Sequence, residues 1–358
     1  LRALAREFDI HAVFVSEYKP SKKDLQELHD LSIKVNVFYS DRVLASVKDD
    51  LVDLANHFIR GIPHYVFQYL HKNAYIAVQE IIKLLNPDII HVDHLNMSQY
   101  LPKEKNQIRL LEHHNVETHL YWTRFIHTGR ITRKIYLFIE MMLTFFYEWK
   151  TLRHFDHILA ISDNDTKRLQ NIFRVEKVST QPMVYTVHPV NHKRAKHPYI
   201  LFIGNLGWPP NEDAVGWFLK DVFPKIIKQI PDAQFHVVGK RQPRYEKDWV
   251  IPRNVFLHGY QKNLDPFLSN AYLCVLPFRM GGGLRLKCLT ALSAGVPVVS
   301  TSLGIDGIKI RHGVECFIAN DSKGLTNGIT LLLRSSFLRK KYSRAGSEYI
   351  NKYHSINQ

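Results

Sequence analysis

The sequence predicts an α/β protein with two domains, each built around parallel β-strands. Three observations indicate this class. Short apolar runs alternate with helical segments along the chain, a pattern typical of parallel βαβ units. The 358 residues are enough for two ordinary domains, and 45% of them are hydrophobic and can fill two cores. The polar, basic and proline-containing segment 187–198 separates the two halves.

The first half predicts a domain over residues 1–190 with five strands. The predicted strands are 11–16, 33–39, 88–92, 108–112 and 157–161. A helix is expected over 75–85, behind which the Asn-Pro pair at 86–87 marks a turn. Residues 1–8 already have a helical pattern, so we expect a further segment before Leu1 in the complete protein.

Polar side chains follow two of these strands. Asp93 and His94 come after one strand, and His114 and Asn115 come after the next. Parallel strands gather ligands at their carboxyl ends, so we favour a binding or proton-transfer role for His114 over a buried structural role. Both interpretations stay open for His94. The histidine spacings match no metal-ligand pattern, and we predict no metal site.

The acidic triplet at 163–165 resembles the Asp-x-Asp element with which some sugar transferases hold a metal. Ser162 lies just past a strand, and Asp165 follows three residues later. That spacing is typical of a capped helix start, so we interpret the triplet as the beginning of a helix over 166–172.

The longest apolar stretch, 135–149, is too short to span a bilayer and contains Glu140 and Glu148. Basic residues flank it at both ends: Arg130, Arg133, Lys134, Lys150 and Arg153. A helix resting on anionic lipid would have this pattern. A buried core helix is the commoner explanation, and we favour it.

The chain is strongly basic, with a formal net charge of +15. Its surface should attract nucleic acid, anionic lipid or a phosphorylated small molecule, and charge does not choose among them. The three cysteines lack a C-x-x-C spacing, which disfavours a disulfide framework or zinc site and fits a reducing cytosol.

The second half repeats the strand and helix alternation. Strands are expected over 199–203, 234–238 and 254–258, and a helix is expected from Glu212 with Asn211 as its cap. Gly204, Gly239 and Gly259 each follow a strand. Glycine turns at neighbouring strand ends can form one rim, and we expect a site of nucleotide size there.

A triple-glycine turn completes this rim. A strand over 272–278 is followed by Gly281, Gly282 and Gly283, a helix over 284–294 and another strand over 296–301. Glycines and a helix start present backbone N–H groups that suit a phosphate or diphosphate. Arg285 and Lys287 in the first helical turn would favour such an anion. The alternative is an ordinary glycine turn followed by two solvated cations.

These segments resemble the family 4 glycosyltransferases. The likeness lies in GNLGWPPNEDAV, HVVGK, HGY and PFRMGGGLRLKCLTALSAGVPVVSTSLGIDGI of the second half, and in LLEHHNVETHLYW and LRHFDHILAISDNDTKRL of the first. The resemblance implies the GT-B architecture, in which two Rossmann-like domains face a cleft. It also implies an N-terminal acceptor-side domain without its first strand, a sugar-nucleotide domain over 191–340, and a segment 341–358 that packs back on the first domain.

The resemblance implies a retaining, metal-independent transfer from a nucleoside-diphosphate sugar, without a cofactor, to a glycan or lipid-linked acceptor. His114 and Asn115 would be the catalytic residues. The implied donor-binding residues are Gly204, Asn205, Lys240, Gly259, Tyr260, Gly281, Gly282, Gly283, Leu284, Arg285, Lys287 and Thr290. The enzyme would act in the cytoplasm. The basic surface leaves open a peripheral position at the inner face of the membrane, with an anionic membrane surface as a further partner.

Two positions depart from the family pattern. Gly282 and Thr290 stand where many members have glutamates, and Thr290 offers a hydroxyl without a charge. A catalytically weak or inactive sugar-nucleotide binder is therefore the alternative function. A nucleic-acid binder is a third hypothesis that rests on net charge alone, and we predict no nucleic-acid partner.

Overall fold

The chain forms two compact units in which the two halves of the sequence interleave. The computed structural model describes residues 4–16, 20–39, 57–129, 131–181, 185, 189–193, 195–240, 249 and 251–354. Unit 1 comprises 1–113, 139–159 and 175–179, and unit 2 comprises 114–138, 160–174 and 180–358. The predicted single boundary near residue 190 therefore differs from the observed division, because 114–138 and 160–174 pack with the second half.

The predicted mixed α/β class with parallel sheets is confirmed. The described strands are β1 (His11–Ser16), β2 (Lys34–Tyr39), β3 (Ile89–Asp93), β4 (Ile108–His113), β5 (His157–Ala160), β6 (Val178–Thr180), β7 (Tyr199–Ile203), β8 (Gln234–Val238), β9 (Val255–Leu257), β10 (Leu273–Leu276), β11 (Val298–Ser300) and β12 (Phe317–Ile318). Every predicted strand corresponds to one of these, with ends that differ by a few residues.

Helices separate most of the strands. The helices whose full extent is described are α1 (Lys22–His29), α2 (His64–Phe67), α3 (Lys72–Leu85), α4 (Glu117–His127), α5 (Ile131–Thr151), α6 (Asp163–Phe173), α7 (Pro209–Trp217), α8 (Phe223–Gln229), α9 (Asp265–Asn270), α10 (Leu286–Ser293), α11 (Ser322–Arg334) and α12 (Ser336–Tyr353). The helical pattern predicted for 1–8 reduces to a short 3-10 turn, Leu4–Arg6, in the described part of that segment.

A six-stranded sheet forms the core of unit 2, with strand order β12-β11-β10-β7-β8-β9. Its paired strands run parallel. Ile200, Leu201 and Phe202 at its centre are completely buried. A parallel sheet covered on both faces needs such a continuous apolar run, which explains why β7 does not alternate polar and apolar residues.

Unit 1 holds shorter sheets. β1 and β2 pair in parallel as a two-stranded sheet, in which His11 lies opposite Lys34. The strands β3, β4, β5 and β6 form a separate four-stranded sheet in that order. Its parallel register places Ile89 opposite Ile108 and Asp93 opposite Glu112. The carboxyl ends of β3 and β4 therefore lie side by side, as the sequence predicts.

The long helix α5 buries charged side chains and exposes apolar ones, which is the reverse of an ordinary surface helix. Glu140 and Glu148 are completely buried, although the same helix exposes several large apolar residues. Glu140 Oε1 lies 2.5 Å from His57 Nε2 and its Oε2 accepts from the His64 N–H at 3.1 Å. Glu148 Oε1 lies 3.5 Å from His113 Nε2. The prediction that α5 is a buried core helix is therefore correct only for the face that holds Glu140 and Glu148. No helix among the described residues combines the length and the apolar character needed to cross a bilayer.

One helix prediction needs correction, and another is not tested. The helix α7 begins at Pro209 rather than at Glu212, because proline at the first helical position fits its fixed φ. Asn211 therefore lies inside the helix and does not cap it. The terminal helix α12 packs on α10 within unit 2, where Ser347 Oγ donates to Leu292 O at 3.3 Å. Its predicted packing on the first domain stays a prediction.

Candidate functional site

The triple-glycine turn links β10 to α10 within unit 2. Gly281 and Gly283 have φ values of +124° and +73°, which residues with a side chain rarely adopt. The Gly281 N–H donates to Thr123 Oγ1 at 2.9 Å. The amides of Gly282 and Gly283 make no hydrogen bond with any residue that the structure describes. Two of the three predicted phosphate donors are therefore available, and the third is occupied.

The sequence predicts that this turn completes an open rim of glycine turns. In the structure the turn is instead buried against the start of α4. In the orientation that satisfies its hydrogen bonds, the Asn115 side-chain nitrogen donates to Gly282 O and to His114 O, each at 3.1 Å. A Cβ at position 283 would lie 2.0 Å from a terminal atom of the Asn115 amide and 2.8 Å from His114 O. Glycine is required at 283 because this segment approaches so closely. The structure thus brings both predicted catalytic residues against the predicted phosphate site.

Two further residues of the same segment, His119 and Thr123, contact the turn, although neither is among the predicted site residues. A Cβ built at Gly282 would lie 3.7 Å from His119 Cδ2. Thr123 holds the Gly281 amide as described above. His119 and Thr123 are four residues apart on one face of α4, which begins at Glu117, and Asn115 lies two residues before that helix. That spacing was the signal from which they could have been found.

Arg285 is a buried cation beside the turn, with only 3% of its surface exposed. Its guanidinium carbon lies 4.6 Å from the centre of the Phe278 ring and 5.5 Å from that of Trp208. Nε donates to Leu303 O at 3.4 Å, whereas one terminal nitrogen has no hydrogen-bond partner among the described residues. Burial lowers the pKa of Arg285 to about 10, although the carboxylate of Asp306 opposes that shift. A buried donor without a partner suits an anion that binds from outside.

Lys287 belongs to a second polar chain, and its ammonium also lies 4.6 Å from the centre of the Phe278 ring. Its ammonium donates to Asn211 Oδ1, and Asn211 Nδ2 donates to Asn205 O at 2.7 Å. Part of the Lys287 side chain stays exposed. Burial of its ammonium, with the positive charge of Arg285 as a second cause, lowers the pKa of Lys287 to about 7. Asn211 was predicted to cap a helix. It instead connects Lys287 with Asn205, which are both predicted donor-binding residues.

The remaining glycine turns pack backbone against backbone. The Gly204 N–H donates to Val238 O, and the Gly239 N–H donates to Gly259 O, both at 2.8 Å. A Cβ at position 239 would lie 2.0 Å from Gly204 O. Three of the four turns predicted to form one rim, those after β7, β8 and β9, therefore lie side by side. Lys240 and Tyr260 follow two of these turns and are exposed, Tyr260 by 74%.

Thr290 does not present a free hydroxyl. Its Oγ1 donates to Leu286 O at 3.0 Å and lies 2.8 Å from the hydroxyl of Tyr185. Leu284 packs on the loop before β12, since its Cδ1 would lie 3.3 Å from a Cβ at Gly307. The hydroxyl pair between Thr290 and Tyr185 thus stands where the family pattern has a carboxylate.

Ser162 caps α6 and the acidic triplet at 163–165 forms its first turn. The predicted capped helix start is confirmed, although the helix begins at Asp163 rather than at residue 166. Ser162 Oγ accepts from the Asp165 N–H at 3.1 Å. Arg168 Nη1 donates to Asp165 Oδ1 and to Asp306 Oδ2, both at 2.9 Å. Asn164 Nδ2 donates to Asp306 Oδ1 at 2.7 Å. This ion-pair network fastens the loop that contains Asp306 to α6, beside Arg285.

His94 lies in unit 1, just after β3. It has a φ of +70°, an uncommon conformation for a residue with a side chain. Its backbone N–H donates to Glu112 O at 3.2 Å, and its Nε2 lies 4.0 Å from Asp93 Oδ1. Its role stays open. The ligand and catalytic roles assigned to the other site residues likewise stay predictions.

Comparison with known proteins supports the resemblance. Residues 197–335 match the family model described as Glycosyl transferases group 1. The chain is 31% identical over 226 residues to an uncharacterized 44.6 kDa protein in the cps region of Klebsiella pneumoniae, a match covering 60% of this chain and 56% of that protein. It is 26% identical over 160 residues to a phosphatidyl-myo-inositol mannosyltransferase of Mycobacterium leprae, covering 43% of this chain and 42% of that protein. The matches span about half the length of these curated relatives.

Solved structures share the fold over nearly the whole chain. A sucrose-phosphate synthase from Thermosynechococcus elongatus superposes with a TM-score of 0.69 at 13% identity, covering 97% of this chain and 95% of that one. HepE of Anabaena, solved in complex with UDP and glucose, superposes with a TM-score of 0.64 at 12% identity, covering 97% and 96%. The predicted resemblance to glycosyltransferases and the GT-B class of fold are confirmed.

Proposed function

We propose that this chain, whose second half matches the group 1 glycosyl transferases, transfers a sugar from a nucleoside-diphosphate sugar to a glycan or lipid-linked acceptor. We further propose that the enzyme belongs to family 4, that the transferred sugar retains its anomeric configuration, and that catalysis needs no metal. HepE was solved with UDP and glucose, and one relative is named as a mannosyltransferase of phosphatidyl-myo-inositol. These names support a nucleotide-sugar donor and an acceptor of glycan or lipid character.

The observation that carries the proposal is the buried guanidinium of Arg285. It lies against Gly281, and one of its nitrogens has no partner among the described residues. The next two backbone amides, of Gly282 and Gly283, make no hydrogen bond with the described residues. Lys287 adds a second cation within the same turn of helix. A diphosphate would supply acceptors for all these donors.

The chemistry follows from where charge develops. When the bond between sugar and diphosphate breaks, negative charge grows on the leaving oxygens, and preorganised cations and amides stabilise it. His114 and Asn115 are the proposed catalytic residues, since both contact Gly283.

A weakly active or inactive donor-binding protein is the second candidate function, and Thr290 favours it. A hydroxyl already bonded to Leu286 O and Tyr185 cannot replace the charge of a carboxylate. Activity and binding therefore need separate measurements on the full chain.

Calorimetry against a panel of UDP-, GDP- and ADP-sugars tests donor binding, and release of the nucleoside diphosphate tests turnover. Binding with turnover supports the transferase. Tight binding without turnover, with turnover restored by Thr290→Glu, supports the second candidate. Absence of binding to every donor in the panel would contradict both.

We also propose that the protein works in the cytoplasm at the inner face of the membrane. The net charge of +15 supports attraction to an anionic surface.

A further inference from the structure

One face of the long helix α5 is apolar and exposed to solvent. Five large side chains on this helix have between 45% and 75% of their surface exposed: Ile131, Ile135, Phe138, Phe146 and Trp149. We call this set the apolar face. Large exposed apolar surfaces of this kind mark sites of association.

The opposite face of α5 explains why these residues point outward. Glu140, Thr144 and Glu148 are completely buried and lie four residues apart along the helix. Both carboxylates contact buried histidines, Glu140 with His57 and Glu148 with His113. Because this polar stripe is fixed inside the protein, the apolar stripe must lie outside. The inversion is therefore built into the core and does not come from a loosely packed helix.

The exposed charges that accompany the apolar face are all cationic. Arg133, Lys150 and Arg153 are exposed on or just after the helix, and the two carboxylates of the helix are buried. The guanidinium of Arg153 stacks 3.8 Å from the centre of the Trp149 ring. A tryptophan beside a cation at the end of an apolar stripe is the arrangement found at the boundary between acyl chains and headgroups.

The helix α4 in unit 2 also exposes large apolar side chains close to basic residues. Trp122 and Ile126 are exposed by 45% and 46%. Phe125 of α4 contacts Phe138 of α5 with ring centres 6.0 Å apart, and Lys134 lies 5.9 Å from the centre of the Phe125 ring. The first turns of α5 and the end of α4 thus form one apolar and basic surface.

We propose that the apolar face binds an anionic lipid bilayer, with α5 lying in the plane of the headgroups. The inference deepens the proposed membrane location, on which it rests, by naming the surface and the lipid chemistry. Apolar side chains would enter the acyl boundary while Arg133, Lys150 and Arg153 contact anionic headgroups. A second copy of the chain fits this surface less well, because a two-fold contact would bring exposed cations together without exposed carboxylates of the helix to neutralise them.

Vesicle flotation with the full chain tests this proposal. We expect binding to vesicles of equal parts phosphatidylglycerol and phosphatidylcholine, and little binding to phosphatidylcholine alone. Ile135→Ser and Phe146→Ser should each weaken binding at least about tenfold, since each loses a large apolar side chain at the interface. Leu84→Ser on α3, whose side chain is 83% exposed, is the matched control and should bind like the parent chain. Equal binding by all three variants would overturn the proposal.

Tryptophan quenching by brominated lipid separates insertion from simple charge attraction. Quenching should occur with the parent chain and fall markedly in Trp149→Phe, whereas Trp217→Phe should retain it. Lys150→Glu with Arg153→Glu should reduce anionic vesicle binding by more than about tenfold. A different result would show that the apolar face binds a second copy of the chain instead of lipid. In that case the parent chain would not bind vesicles and would sediment as a dimer, and Phe146→Ser would sediment as a monomer. Vesicle binding needs no donor, and calorimetric donor binding in buffer needs no vesicle, so the two proposals fail separately.

Discussion

The guanidinium of Arg285 occupies the space that a side chain at position 281 would need. A Cβ built at Gly281 would lie 2.2 Å from an Nη of Arg285, and Gly281 has a φ of +124°. The glycine and the arginine therefore depend on each other, because the absence of a side chain at 281 lets the cation approach the turn.

Gly281→Ala should lower the free energy of unfolding by about 2–4 kcal/mol, because backbone strain and displacement of Arg285 act together. Gly313→Ala is the matched control. Gly313 has a φ of +79°, and a Cβ there would meet no atom within 4 Å. Strain alone should cost about 1–2 kcal/mol at 313. Denaturant unfolding measures both, and an equal loss in the two variants would show that Arg285 moves aside freely.

Removing either cation should weaken donor binding. Arg285→Ala and Lys287→Ala should each reduce the affinity for a nucleoside-diphosphate sugar by about 1–3 kcal/mol if they contact phosphate. Arg344→Ala provides the control, since the Arg344 side chain is 84% exposed on the terminal helix. Calorimetry on the three variants measures the effect. Unchanged affinity in both site variants would remove their assigned role.

Donor affinity should also depend on the charge of Lys287. Its pKa of about 7 lies below the ordinary 10.5, so the ammonium is charged below neutral pH and loses its proton above it. A diphosphate favours the charged form, and affinity should fall by up to roughly tenfold per pH unit above neutrality. Lys287→Arg should flatten this dependence, because arginine stays charged. Calorimetry across the neutral range measures it, and an identical slope in Lys287→Arg would assign the titration elsewhere.

His236 should make the protein sensitive to acid. Its ring stacks on Tyr199 with centres 3.7 Å apart, and its Nδ1 lies 2.9 Å from His258 Nε2. Burial lowers the pKa of His236 from 6.5 to about 4. The unfolded chain therefore binds the proton first as pH falls below 6.5, and stability decreases from there towards pH 4.

The loss of stability at acid pH can be assigned to His236 by comparing the parent chain with a variant that lacks this histidine. Between neutral pH and about pH 5, His236 should account for roughly 2 kcal/mol of lost stability. His236→Phe retains a stacking ring and should lose less stability over the same range. Denaturant unfolding at the two pH values measures the difference. Parallel losses in the two proteins would exclude His236 as the origin.

The buried pair of His57 and Glu140 should be important for stability. Glu140→Ala removes the carboxylate that contacts the buried His57 imidazole and the His64 N–H, and should cost about 3–5 kcal/mol. The exposed Glu80 on α3 is the control, and Glu80→Ala should change stability by less than about 0.5 kcal/mol. Thermal and denaturant unfolding compare the two. A small loss at Glu140 would mean that the pair is not coupled in solution.

Most of the fold could be predicted from the sequence because its signals are local. The apolar runs of β7 and β10 and the Ser162 cap need only neighbouring residues to be recognised. The interleaved units could not be predicted, since 114–138 packs with the second half through contacts far apart in sequence. The inverted face of α5 was hidden for the same reason: only tertiary structure shows that Glu140 and Glu148 meet histidines.

Residues of the candidate site could be predicted where the residue type and its place after a strand already indicate the chemistry. The glycine turns and the two cations were found because their chemistry is visible in the sequence. Thr123 and His119 were missed because an ordinary helix face conceals them. Asn211 was misassigned because an asparagine before a helical pattern usually caps the helix, and the preceding prolines moved the helix start.

Arg285 loses its hydration when the chain folds, before any ligand arrives. An incoming anion then needs to shed only its own water, so selectivity at this position should favour weakly hydrated, multidentate anions over chloride. Any substitution that places an internal carboxylate near the guanidinium would stabilise the empty protein and, by the same interaction, compete with the ligand. Thermostability and anion affinity at this turn should therefore change in opposite directions.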